Sequence, residues 1–127
     1  MLLVLAILTA RRVLEWRTEA QLWASAVTIT PNNPRALINL GVAWERIGVP
    51  PMAHTLYQRA WQAAEGRPRQ EDIQLLAETN MATTLAAMNR REDAVRMGAG
   101  VLARRPMYRP AVALVQRLPW EDPECHP

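Results

Sequence analysis

The chain has 127 residues, of which 50% are hydrophobic and 21% charged, with a net charge of +3. That size and balance suit one domain with a packed core and exclude global disorder. All 15 basic residues are arginine and they are scattered, so solvated surface charge explains them and no nucleic-acid partner is expected.

Met1 to Ala10 is apolar on every side and carries no charge. A bilayer-spanning helix needs about 20 such residues, so this run alone is too short. It also lacks the basic start and clean cleavage site of a signal peptide. It reads as the last half of a transmembrane helix that begins in a longer parent, or else as an amphipathic or buried helix packed on the rest. The first is favoured, because ten residues without a polar face are awkward in water. Arg11 and Arg12 would then sit at the membrane interface, with Trp16 as an aromatic anchor. Residues 1–15 are therefore assigned as an apolar, membrane-associated helix or its end.

A helical domain is expected over residues 16–118. Trp16 to Thr30 reads as a helix with an apolar stripe of Leu22, Trp23, Ala26, Val27 and Thr30. Pro31-Asn32-Asn33-Pro34 is a turn in which Asn33 can cap the next helix and Pro34 needs no N–H. Leu37, Leu40, Gly41 and Trp44 follow at helical spacing, and Gly48 supplies a left-handed exit. Gly41 costs about 1 kcal/mol of helix propensity, which suggests a neighbouring helix in close approach.

After Gly48-Val49-Pro50-Pro51, a second helix should bury Met52, Ala53, Leu56, Tyr57, Ala60 and Trp61, with His54 exposed on its outer face. Gly66 to Gln70 is irregular. A longer helix over about residues 70–88 presents Ile73, Leu76, Ala77, Met81, Leu85 and Met88, and Asn89 replaces the exit glycine. Glu92-Asp93 opens the next helix in favourable register with its dipole, and Glu92 reaches Arg96 one turn on. Arg104-Arg105 suits the negative end of that helix. Arg109 to Leu118 forms a short final helix stopped by Pro119. Residues 119–127 read as a proline-rich tail, whose Trp120 is placed to fold back on the last helix. Its Cys125 excludes an internal disulfide, and Cys125 with His126 cannot close a zinc site.

Leu40, Gly41, Trp44, Ala53, Tyr57 and Ala60 stand at the spacing of a tetratricopeptide repeat, and residues 31–64 resemble most of one repeat of about 34 residues. Ala94, Val101, Leu102 and Pro106 fit a second, degenerate repeat, with Gly98 where a large aromatic is usual. The resemblance implies an all-α, antiparallel helix-hairpin solenoid of about two full repeats plus flanking helices. It further implies a concave surface that binds an extended peptide or partner helix. On that surface it places Arg35, Ile38, Asn39, Val42, Glu45, Thr79, Asn80 and Thr83. Asn39 and Asn80 share one repeat position, where an amide either holds a bound backbone or bridges its own helix. Ile38 and Val42 replace the lysine and asparagine of the carboxylate-clamp type, which argues against a cochaperone role.

Arg12 to Trp23, leading into Pro31-Asn32-Asn33 and Asn39-Leu40-Gly41, also looks like the junction in mannosyltransferase-type membrane glycosyltransferases that joins their membrane part to C-terminal repeats. No catalytic constellation is apparent. Ser25 is the lone serine, and Glu71-Asp72 and Glu92-Asp93 lie at helix starts where a structural role suffices. No enzyme activity, metal or cofactor is expected.

The expectation is a membrane-tethered protein-interaction module. The alternative is the non-catalytic, acceptor-positioning repeat region of a membrane glycosyltransferase, and a structural spacer is a third reading. Solenoids usually need about three repeats, so a membrane part, a neighbouring chain or self-association should add stability. Arg11-Arg12 would put the repeats in the cytoplasm, whereas the glycosyltransferase-like junction would put them on the other side. A soluble cytoplasmic chain is the alternative to both.

Overall fold

The computed structural model describes residues 1–118, and these form six α-helices with no strand. They are α1 (Leu2–Ile29), α2 (Pro34–Ile47), α3 (Pro50–Ala64), α4 (Glu71–Ala87), α5 (Arg91–Arg104) and α6 (Arg109–Arg117). The fold class is therefore all-α. The tail with Trp120, Cys125 and His126 lies outside the described residues.

Local chemistry explains most helix ends. The Asn33 side-chain oxygen accepts from the backbone N–H groups of Arg35, at 3.1 Å, and Ala36, at 3.4 Å. That satisfies two of the four donors a helix start leaves open, and Pro34 lacks a third. Gly48 closes α2 at φ 98°, its N–H shared between the carbonyls of Trp44 and Glu45. Pro50 and Pro51 both fall in the first turn of α3, where no amide donor is required. Asn89 adopts φ 62° after α4, the left-handed exit expected of it. Gly66 and Arg69 are also left-handed, at φ 71° and 63°. Arg69 is the unforeseen case, since only the irregularity of residues 66–70 was legible.

Each helix packs on the next in sequence, α2 also touches α4, and α4 also touches α6. Between packed helices such short connections turn the chain back on itself. The main core joins Leu37, Leu40 and Ala43 of α2 to Ala53, Leu56, Tyr57 and Ala60 of α3, with Ala20, Ala77 and Met81 closing its flanks. A second cluster gathers Leu75, Val101 and Ala111, with Leu102 and Tyr108 against it. Gly41 is where α2 and α3 come closest. A Cβ there would lie 2.5 Å from Cε1 of the fully buried Tyr57 ring.

Several expectations are corrected. Residues 1–15 and 16–30 are not separate helices, because Val13-Leu14-Glu15 contains no breaker and α1 runs through. Its packed stripe is Trp16, Ala20, Trp23 and Val27, at spacings of four, three and four, which seat on α2. Leu22, expected in the stripe, is 61% exposed, and Thr30 is exposed as well. Trp16, expected as a membrane-interface anchor, is half-buried in the core beneath the Arg46 guanidinium, 5.4 Å from its ring centre. Met52 is exposed. Pro106, expected as a packing residue, is exposed in the α5–α6 connection.

In α4 the predicted face is only part of what is covered. Leu75, Thr79, Ala82 and Thr84 are buried too, because α4 touches α2, α3, α5 and α6. Gly98 is buried, and a Cβ on it would lie 3.0 Å from the Val115 side chain of α6.

Two glycine substitutions separate packing from propensity. Gly41→Ala gains about 1 kcal/mol of helix propensity but loses about 1–3 kcal/mol by overpacking against Tyr57, which has no room to move. A net loss of about 1 kcal/mol is expected. Gly100 has nothing within 4 Å of a Cβ, so Gly100→Ala should stabilise by about 0.5–1 kcal/mol. Urea midpoints at unchanged m-value, followed by circular dichroism, decide both.

Candidate interaction surface

The eight residues assigned to the binding surface lie on α2 and α4, which are in contact. The structure divides them. Ile38 is 5% exposed and Thr79 3%, so both belong to the packed interior and neither is offered to a ligand. Both sit on helices with several neighbours, α2 touching α1, α3 and α4, and α4 touching α2, α3, α5 and α6. Arg35 and Thr83 are exposed, while Asn39, Val42, Glu45 and Asn80 are half-buried.

Hydrogen bonding divides them again. The Thr79 hydroxyl donates to the Leu75 carbonyl at 2.7 Å, and Thr83 donates to the Thr79 carbonyl at 3.1 Å. Both donors are thus committed to their own helix. Glu45 accepts a hydrogen bond from the Tyr57 hydroxyl at 2.9 Å. Burial pushes the Glu45 carboxyl above its ordinary 4.5, against the opposing pull of the Tyr57 hydroxyl and then of Arg46. Burial, and then the charge of Glu45, push the Tyr57 phenol far above its ordinary 10. The carboxylate therefore works as a structural acceptor that locks α2 to α3.

Asn39 and Asn80 differ from these. The other side-chain hydrogen bonds in α2 and α4, among the described residues, run to groups already accounted for or to those described next. The two amides make none. They stand half-buried on adjacent helices with four donor and acceptor groups unused between them.

Three further polar clusters escaped the sequence. Glu78 accepts from the Trp61 indole N–H at 2.6 Å with one oxygen and from Arg104 with the other, which ties α3, α4 and α5 together. Arg105 pairs with Asp72 and lies 3.8 Å from Glu71, so Arg104 and Arg105 bind carboxylates of α4 as well as closing α5. His54, expected on the outer face, is half-buried with Nδ1 2.7 Å from the Thr84 hydroxyl. That hydroxyl donates to the Met81 carbonyl, so Nδ1 carries the proton that Thr84 accepts. Gln70 Oε1 is buried without a partner among the described residues, beside Trp23, Asn33 and Ile73. The paired residues stand 17 to 34 apart in sequence, and no local spacing announces them. Only the Glu92–Arg96 pair, at 3.2 Å, was visible as an intrahelical spacing.

Among the described residues no helix is long and apolar enough to cross a membrane. No family model, curated protein or solved structure matches the chain.

The raised Glu45 carboxyl gives a pH signature. A folded-state value above the unfolded one makes its stabilising contribution complete below pH 4.5 and lost as pH rises through the raised value. Glu45→Gln keeps an acceptor for Tyr57 and removes the titration. The variant's stability relative to the natural chain should therefore increase between pH 4.5 and 7 in urea unfolding. A difference that stays constant with pH would contradict it.

Proposed function

We propose that this chain is a protein-interaction module of tetratricopeptide-repeat type, in which α2–α3 and α4–α5 are the two repeats and α1 and α6 flank them. It binds an extended peptide or a partner helix along α2 and α4, with Asn39 and Asn80 holding the partner's backbone. The observation that carries this is the pair of half-buried amides on two helices in contact, with no side-chain hydrogen bond among the described residues; the resemblance gives the two one repeat position. Unused donors and acceptors of that kind suit a backbone with the complementary groups. Arg35 and Thr83 flank them and Val42 adds apolar contact. Its role is binding, with no catalytic step, metal or cofactor.

The module is proposed to be membrane-associated through residues 1–15, in which the apolar side chains of residues 1–10 and Leu14 are exposed. A second reading makes it the non-catalytic C-terminal repeat region of a membrane glycosyltransferase, positioning acceptor proteins. The favouring observation is that the junction-like segment Arg12–Trp23 and the apolar run share one unbroken helix. Self-association through an open end of the repeat stack is a further expectation of so short a solenoid.

Peptides selected from a random display library on the folded chain test the assignment. Asn39→Ala/Asn80→Ala should weaken the selected peptides about tenfold, the scale of one or two hydrogen bonds. It should leave the helical spectrum and unfolding midpoint unchanged, and Gln58→Ala, on an exposed face of α3, should leave binding unchanged. Peptides that bind the double variant as tightly as the natural chain would overturn the assignment of these amides.

A further inference from the structure

The outer end of α1 is apolar around its whole circumference. Leu2, Leu3, Val4, Leu5, Ile7 and Leu8 are each 51–84% exposed. At 100° per residue these six positions leave no side of the helix polar. The one hydroxyl in the run, Thr9, donates to the Leu5 carbonyl at 2.8 Å and needs nothing from solvent. A second copy of this chain, or a partner helix, would cover one stripe and leave the others wet. Only a hydrocarbon phase covers every side at once.

The charges set where that phase ends, after an apolar stretch from Leu2 to Ala10 that rises about 12 Å along the axis. Arg11 and Arg12 follow immediately, both exposed and without an ion pair among the described residues. The acidic groups facing the same region, Glu15 and Glu19, come one and two turns further from the apolar end, and Glu19 is engaged by the Trp23 indole N–H at 3.2 Å. The helix then continues without a break into Trp16, Ala20, Trp23 and Val27, which are seated on α2.

We propose that α1 enters a bilayer with anionic headgroups as far as Arg11 and Arg12, whose guanidinium groups pair with lipid phosphates. Because the same helix is packed into the domain, the body is carried on a stiff stalk at a set distance from the membrane. This rests on the membrane-association part of the proposed function and adds the lipid charge class, the depth and the rigid coupling.

The test uses the full chain with Cys125→Ser and a single nitroxide-labelled cysteine at Leu5, Leu8, Thr18 or Ser25, added to vesicles of phosphatidylcholine with or without one quarter phosphatidylglycerol. At low salt, binding to the anionic vesicles should be at least tenfold tighter, and Arg11→Gln/Arg12→Gln should abolish the difference. Labels at Leu5 and Leu8 should be shielded from aqueous relaxation agents, and those at Thr18 and Ser25 should stay accessible. Equal affinity for both vesicles, or a label at Thr18 buried as deeply as one at Leu8, overturns this proposal and leaves membrane association standing. Binding to neither vesicle overturns both. Labels at Leu5 and Leu8 already shielded without vesicles, in a chain that light scattering shows to be dimeric, would make a second copy the occupant and overturn it as well.

Discussion

The contact between Gly41 and the ring of Tyr57 is the constraint on which the rest of the structure depends. It brings α2 and α3 closer than any side chain at position 41 would allow, and the buried phenol then needs an acceptor within reach. Glu45, one turn along α2, is that acceptor. Burial of the ring, the raised Glu45 carboxyl and the register between the two helices are therefore one event. Ala53 and Ala60, a turn to either side of Tyr57, keep the same approach open along the interface.

The second half of the molecule meets the same geometric need differently. Gly98 of α5 is buried as Gly41 of α2 is, but no aromatic ring lies against it. The side chains of Val115 and Leu114 in α6 come to it instead. The polar tie is different too. Where α2 and α3 are joined by a hydroxyl and a carboxylate, α4 holds both neighbours through Glu78, which takes the Trp61 indole on one side and Arg104 on the other. The two halves thus differ in which elements supply the packing and the hydrogen bonds.

What was legible in the sequence follows from the range of the interactions. Asn33, Pro34, Gly48 and Asn89 act within a few residues, and each terminates a helix as its chemistry predicts. Leu37, Leu40 and Gly41 of α2 are buried as their spacing predicts, although α2 also buries Ala36, Ile38 and Ala43. In α4 the stripe was incomplete, since four neighbours surround it and a single apolar face is no longer the criterion for burial. Leu22 was misplaced because apolar character does not distinguish two faces of α1, only one of which meets α2. His54 and Glu78 were out of reach for a different reason: their partners Thr84 and Arg104 come from helices that only the tertiary fold brings near. The surface residues divide the same way. Arg35, Asn39 and Asn80 remain available, while Ile38 and Thr79 are buried on helices that touch three and four neighbours.

Most buried polar side chains of this fold are met from within, Gln70 Oε1 being the exception among the described residues. Thr79 and Thr84 donate to their own helix, Tyr57 finds Glu45, and Trp61 finds Glu78. Against that background the open groups stand out by chemistry. Among the described residues the amides of Asn39 and Asn80 have no hydrogen-bond partner, a need that a peptide backbone meets and hydrocarbon does not. The apolar end of α1 lacks cover on every side, a need that hydrocarbon meets and a peptide does not. The two therefore call for different partners. Because α1 packs on α2, the helix that carries Asn39, a partner held by the amides is positioned relative to whatever holds α1 through a single helix–helix interface.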